Sequence, residues 1–140
     1  MKVFKNQRKI TASSKEIFKA FADQTLLAKW WGPAGFTNTF NTFEFKPKGK
    51  WSFVMHGPDG TNYPNENIFQ EIEEPNKVAI RHNSNPYFTL TVTIEDIEGG
   101  AVIHWHQDFD NEEAARNIAH IVEPANEQVL DKLQALVASS

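Results

Sequence analysis

Apolar and polar residues alternate along the middle of the chain, from Phe36 to Phe109. Alternation at period two is typical of strands that bury one face and expose the other. The clearest run is YFTLTVTIE (87–95), whose apolar residues at 88, 90, 92 and 94 face one way while its threonines face the other. Turn signals rich in Pro, Gly and Asn interrupt the alternation at residues 47–49, 58–60, 75–76, 83–86 and 99–100. These breaks predict about six antiparallel strands.

The segment before this region predicts one strand and two short helices. Residues 3–11 alternate weakly, which indicates an opening strand. Ser13 and Glu16 have the spacing of a capping box, and the apolar residues that follow at 17, 18 and 21 share one helical face. Thr25 is predicted to cap a second short helix, LLAKWW (26–31), which the following Gly-Pro pair ends.

A long helix is predicted over residues 111–138. Asp110 and Glu113 have the spacing of a second capping box, and the apolar residues recur at helical spacing. Pro124 lacks an N–H and its ring clashes with the preceding turn, so we expect the helix to kink or split there. Such a helix extends roughly 40 Å at ~1.5 Å per residue, enough to cross about seven strands spaced ~4.8 Å apart. The apolar stripe consists of Ile118, Val122, Val129, Leu133 and Leu136.

Together these elements predict an α+β fold with one opening strand, two short helices, about six further antiparallel strands and a long C-terminal helix. The 140 residues and 40% hydrophobic content suit a single domain over residues 1–140. Because the sheet twists and a kinked helix covers it, we expect a pocket between them. Consecutive helical residues point about 100° apart. Leu27 and one indole of the Trp30–Trp31 pair should therefore plug the end of the sheet, while the other indole faces the pocket mouth or solvent.

Composition and charge exclude several classes of protein. The chain has no cysteine, which removes thiol nucleophiles and disulfides. A net charge of -4 without a dense Lys/Arg run argues against nucleic-acid binding. The sequence shows no apolar signal segment and no apolar run long enough to cross a membrane, so we expect a soluble, cytoplasmic protein without membrane insertion. Its aromatic content of 12% is typical of large cores or pocket walls.

Candidate pocket residues lie on two strands and on the last helix. Trp51, Phe53 and Met55 alternate in KWSFVM and form either a pocket wall or close-packed core. His82 continues the inward face of its strand, where an imidazole can bind a ligand or transfer a proton; alternatively, backbone or solvent satisfies it at the strand end. Asn126 lies on the inward helical face, where it either orients a ligand or meets water at the helix flank.

The other polar residues give weaker evidence for a metal-binding or catalytic site. His104, His106 and Asp108 alternate in VIHWHQDFD and can chelate a metal, but the apolar residues between them should face the core. We therefore interpret these three as an exposed polar face and predict no metal. The polar turn at 58–64 is interpreted as a hairpin turn, with a pocket rim as the alternative. The sequence contains neither a Gly-x-Ser-x-Gly elbow nor a Gly-rich phosphate loop.

Several stretches resemble the activator of heat-shock protein 90 ATPase homologue family of the SRPBCC superfamily, which comprises START-like and birch-pollen-allergen-like proteins. The most specific words are Trp-Trp-Gly-Pro (30–33) and Phe-x-Met-x-Gly-Pro-Asp-Gly (53–60), and further matches lie at 13–36, 68–80, 99–105 and 126–137. The resemblance implies a helix-grip fold, in which a seven-stranded antiparallel sheet wraps around the last helix. It also implies a cavity that in relatives binds lipids, steroids, polyketides or plant hormones.

The resemblance implies less about function than about fold. A minority of such relatives are cyclases, dehydratases or ring-hydroxylase subunits, and we expect no cofactor here. The eukaryotic co-chaperone has a separate chaperone-binding domain for which 140 residues leave no space, so a chaperone partner is a weaker expectation than a small molecule. This chain has Ala125-Asn126 where many relatives have Gly-Trp, and His82 where a large residue is common. Both departures should make the pocket more polar.

Three functions stay open at this point. The first is a binding protein for a hydrophobic or amphipathic small molecule, with His82 and Asn126 supplying polarity. The second is a cyclase-, dehydratase- or isomerase-type enzyme in which His82 moves protons. The third is a protein-interaction module, such as a homodimer or a stress-related partner binder, that uses exposed aromatic rings at Trp30 and Trp31. The expected ligand contacts are Trp51, Phe53, Met55, His82, Phe88, Leu90, Trp105, Asn126 and Leu133.

Overall fold

The computed structural model describes residues 3–84 and 86–138. A seven-stranded antiparallel sheet has the strand order β1-β7-β6-β5-β4-β3-β2, which confirms the α+β helix-grip prediction and the six strands between residues 36 and 109. The elements are β1 (Val3–Ile10), α1 (Ser14–Ala22), α2 (Gln24–Trp30), β2 (Thr37–Phe43), β3 (Lys50–His56), β4 (Asn62–Glu73), β5 (Lys77–His82), β6 (Phe88–Ile97), β7 (Gly100–Phe109) and α3 (Glu112–Ala138).

The sheet buries one face, as the alternation predicts. In β6, the side chains of Leu90, Val92 and Ile94 are buried and the threonines between them are partly exposed. β7 lies between β6 and β1, so the first and last strands of the sequence pair at this edge of the sheet. The predicted turn at 83–86 falls between β5 and β6, although residue 85 lies outside the described residues.

The helix starts match the predictions only in part. At α1 the Ser13–Glu16 capping box is confirmed. At α2 the predicted cap Thr25 is wrong, because the carboxylate of Asp23 accepts hydrogen bonds from the backbone N–H groups of residues 25 and 26. Before α3, the Asn111 side chain accepts from the backbone N–H of residue 114, whereas the predicted cap Asp110 accepts two hydrogen bonds from the guanidinium of Arg81.

Helix α3 runs without interruption through Pro124, so the predicted split does not occur. Its two halves differ in burial. Residues 112–125, the open half, bury only Ala115, whereas residues 126–138, the packed half, bury a full apolar stripe together with one polar residue. The buried residues of the packed half are Asn126, Val129, Leu130, Leu133 and Val137.

The packed half covers a core rich in aromatic rings. Trp51 stacks on Phe69 with ring centroids 5.6 Å apart and planes 4° apart. Phe21 meets Trp30 edge to face at 4.8 Å, and the Trp30 Nε1–H donates to the carbonyl of Ala20 at 3.0 Å. Because these large side chains fill the space under most of the packed half, the volume that remains lies under the middle of α3.

Candidate functional site

A cavity of about 610 Å³ lies between the sheet and residues 121–129 of α3, where the open half meets the packed half, and its volume is within the size range of small-molecule sites. Strands β3 to β7 form its floor, α3 forms its roof, and the segment after α2 forms one side. Most of the walls are apolar. The apolar lining residues are Trp31, Pro33, Phe36, Phe53, Met55, Tyr63, Pro64, Ile80, Pro86, Phe88, Leu90, Trp105, Ile121, Val122, Ala125 and Val129.

The structure brings most of the predicted contact residues to this cavity. Those that line it are Phe53, Met55, His82, Phe88, Leu90, Trp105 and Asn126. Trp51 and Leu133 do not line it, which corrects two of the predicted contacts. Both are fully buried in the core, because Trp51 is packed against Phe69 and Leu133 belongs to the packed half of α3.

The two adjacent tryptophans have different surroundings. Leu27 and Trp30 are buried at the end of the sheet, while Trp31 is partly exposed and lines the cavity, as predicted for such a pair. Trp31 lies 5.0 Å from Trp51 and 5.8 Å from Trp105, measured between ring centroids. Trp30 therefore offers no exposed aromatic surface to a partner, and the partly exposed ring of Trp31 lines the cavity.

Two exposed apolar side chains mark the cavity mouth. Ile121 on α3 is 57% exposed and Tyr63 on β4 is 45% exposed, and both line the cavity. Residues 62–64, interpreted from sequence as part of a hairpin turn, belong to β4 and line the cavity as well.

The corner after α2 is held against α3, because the ammonium of Lys132 donates to the carbonyl of Gly32 at 3.2 Å. Gly32 has φ of 92°, a conformation that favours glycine.

His82 faces inward, as its spacing predicts, and its side chain is 7% exposed. The imidazole stacks on Phe88 at 4.5 Å. Its Nδ1 lies 2.8 Å from the carbonyl oxygen of Pro86, and its Nε2 lies 2.8 Å from Oδ1 of Asn65. Burial lowers the pKa of His82 below its ordinary value of 6.5, while the carbonyl of Pro86 counteracts part of the shift.

The remaining polar lining is formed mainly by carboxamides. Asn67 and Gln107 are buried, and each shares the inward face of a strand with apolar neighbours. Asn126 contacts Gln107 through a hydrogen bond of 3.1 Å from Nδ2 to Oε1. Asn65 donates from Nδ2 to the carbonyl of Tyr63 at 2.9 Å.

The sequence reasoning missed three of these carboxamides. Gln107 lies between Trp105 and Phe109 at period two, a spacing that already places it on the inward face. Asn65 and Asn67 precede the buried Phe69 at the same spacing. The period-two spacing therefore identifies these three residues as inward-facing, although an apolar pattern alone does not include them.

Charge is lacking in this cavity. Among the described residues that line it, none carries a carboxylate, an ammonium or a guanidinium group. His104 and His106 lie on the opposite face of β7 from the buried Trp105, as the alternation predicts. Within residues 3–84 and 86–138, His, Asp and Glu side chains form no group of three that could hold a metal ion. The helices in the same ranges are too short or too polar to span a membrane.

Solved structures of bacterial proteins share this fold. A protein from Arthrobacter aurescens aligns with a TM-score of 0.90 and 24% identity, covering 99% of this chain and 87% of that chain. A protein from Nitrosomonas europaea aligns with a TM-score of 0.88 and 14% identity, covering 98% and 94%. An AHSA1-like protein from Aeromonas hydrophila aligns with a TM-score of 0.77 and 17% identity, covering 98% and 92%. At these identities the likeness shows the fold alone.

Sequence comparison identifies the family. No curated protein matches the chain. Residues 11–138, which include both tryptophans before the Gly-Pro corner and the whole cavity lining, match the family described as Activator of Hsp90 ATPase homolog 1-like protein. The match extends over far more than half of the chain, and the observed strand order and long last helix agree with it. The chain therefore belongs to the Activator of Hsp90 ATPase homolog 1-like family.

Proposed function

We propose that this protein binds a hydrophobic or amphipathic small molecule in the cavity between the sheet and α3. The observation that carries the proposal is the cavity of about 610 Å³, whose walls are mostly aromatic and aliphatic with a few polar groups among them. The exposed side chains of Ile121 and Tyr63 give the mouth an apolar surface that a lipophilic molecule can cross. Membership of a family with this fold supports the same function.

Binding fits the site better than proton-transfer catalysis does. An acid–base mechanism at His82 needs a second titratable group within hydrogen-bond reach. Among the described lining residues the one other titratable side chain is Tyr63, and both ring nitrogens of His82 already contact oxygen atoms of the protein. The imidazole is therefore held by the protein and serves as a polar part of the wall.

The proposal is tested by titrating the protein with Nile red, a neutral dye whose fluorescence rises in apolar surroundings. We expect saturable binding to the wild type. Ala125→Trp places an indole at a lining position and should weaken binding by at least about tenfold, because the added ring occupies ligand space. The control His120→Trp adds the same ring at an exposed position of α3 and should leave binding unchanged. Equal dye binding by both variants contradicts the proposal.

A further inference from the structure

A chain of polar side chains leads from the surface of α3 to the cavity. The exposed carboxylate of Glu127 accepts a hydrogen bond of 2.7 Å from Nδ2 of Asn6 on β1. Asn126 in turn directs its Nδ2 at Oδ1 of Asn6, at 3.4 Å, and at Oε1 of Gln107, at 3.1 Å. We call the three carboxamides of Asn6, Asn126 and Gln107 the amide relay.

The carboxylate determines which way each amide of the relay points. A carboxylate only accepts hydrogen bonds, so Asn6 must direct its Nδ2 at Glu127 and its Oδ1 at Asn126. Asn126 must then use its Nδ2 within the relay, and Gln107 must receive that N–H at Oε1. Arg8 donates to the other oxygen of Glu127 at 2.8 Å, which holds the carboxylate in place and favours its charged form.

With the amides oriented in this way, one hydrogen-bond donor and one acceptor of the relay are available at the cavity. Gln107 and Asn126 both line the cavity, and they are only 8% and 7% exposed. Within the described part of the chain, Nε2 of Gln107 and Oδ1 of Asn126 have no hydrogen-bond partner. Neither atom is fully buried, so a polar group of a ligand in the cavity can reach both.

We propose that the cavity selects a neutral ligand that carries an amide, such as a carboxamide or a lactam. The amide carbonyl accepts from Nε2 of Gln107 and the amide N–H donates to Oδ1 of Asn126. A carboxylate head group offers no donor to Asn126, and its charge meets no counter-charge among the described lining residues. The inference rests on the proposed binding function and specifies the chemistry of its ligand.

Displacement of Nile red from the wild-type protein at about pH 8 tests this preference. The competitors share one alkyl chain and differ in the head group: octanamide donates and accepts, N,N-dimethyloctanamide only accepts, and octanoate is charged. We expect octanamide to displace the dye at about tenfold lower concentration than either of the others, since each lost hydrogen bond to a buried partner costs about that factor. Equal potencies overturn the amide preference alone, whereas absence of Nile red binding overturns the binding function and the preference with it.

Two variants test whether the amide relay causes the preference for octanamide. Asn126→Leu keeps the approximate size of the side chain but removes Oδ1, the acceptor for the ligand N–H, so the advantage of octanamide over N,N-dimethyloctanamide should disappear. Asn117→Leu makes the same substitution at an exposed position of α3 and should retain the advantage. Octanamide selectivity that persists in a folded Asn126→Leu protein, as judged by circular dichroism, contradicts the assignment. The wild-type competitor series decides the preference without any variant.

Discussion

The two halves of α3 show how one helix serves two purposes. The packed half presents Leu130 and Leu133 to a core of aromatic and aliphatic side chains, and both leucines are fully buried. The open half presents Val122 and Ala125 to a cavity and leaves Ile121 exposed at its mouth. The difference arises mainly from what lies opposite, because the main core lies beneath the packed half, whereas beneath the open half a small cluster around Phe109 and Ala115 borders the cavity.

The comparison teaches where stability and binding reside. Close-packed contacts stabilise the fold in proportion to the apolar surface they bury, so the packed half is where truncation should cost most. A cavity wall contributes less to stability, because its side chains already lack neighbours on one side. Substitutions at the cavity-facing positions Val122 and Ala125 should therefore change binding with little effect on folding.

The largest expected effect tests this division directly. Leu133→Ala should lower the free energy of unfolding by about 2 to 5 kcal/mol, because it deletes a fully buried side chain from a packed core. Val122→Ala, in the cavity wall of the same helix, should cost less than about 1 kcal/mol. Urea denaturation of both variants measures the contrast. Equal losses would show that the open half is packed as tightly as the other.

A smaller effect should appear when the pH falls. Burial lowers the pKa of His82 in the folded state, so the unfolded chain takes up this proton at higher pH than the folded protein does. The neutral imidazole's contribution to stability is complete above its ordinary pKa of 6.5 and is lost as the pH falls toward the folded-state pKa. His82→Gln should lose less stability between about pH 8 and about pH 5.5 than the wild type.

Urea denaturation at the two pH values provides this measurement. The control is His120→Gln, which changes an exposed histidine outside the cavity and should keep the wild-type pH dependence. If His82→Gln and the wild type lose the same free energy, the buried imidazole does not titrate as described.

The smallest effect concerns the polar contacts at the edge of α3. Arg8 forms ion pairs of 2.8 Å with Glu127 and Asp131, whose side chains are 51% and 66% exposed. Solvent screens such pairs, so Arg8→Met should cost about 0.5 to 1 kcal/mol and the loss should shrink at high salt. Urea denaturation in low and high salt measures it. A loss as large as that of Leu133→Ala would refute the view that apolar packing dominates this helix.

Much of the fold could be predicted because period-two alternation reports directly which face of a strand is buried. It placed the β6 side chains and His82 correctly. The helix starts were harder, because neighbouring residues can cap equally well by local criteria. Asp110 was the predicted cap of α3, but its pairing with the distant Arg81 leaves that position to Asn111.

The cavity was harder to predict than the fold. The alternation predicts that Trp51 points inward, but it does not predict how far the packed core extends along the sheet. That extent depends on contacts between strands, such as the stacking of Trp51 on Phe69. The hydrogen bond between Gln107 and Asn126 joins segments that are distant in sequence, so no local pattern contains it. Polar cavity residues can be found by asking which polar residues fall at inward positions.

The most direct test of the account is a titration of the isotope-labelled protein with octanamide, followed by backbone amide signals in NMR spectra. We expect saturable shifts at Leu90, Gln107 and Val122, which lie around the cavity, and little change at Ile17 and Leu133 in the packed core. Absence of saturable shifts, or shifts centred on the packed core, would contradict the claim that the open half of α3 covers a ligand site.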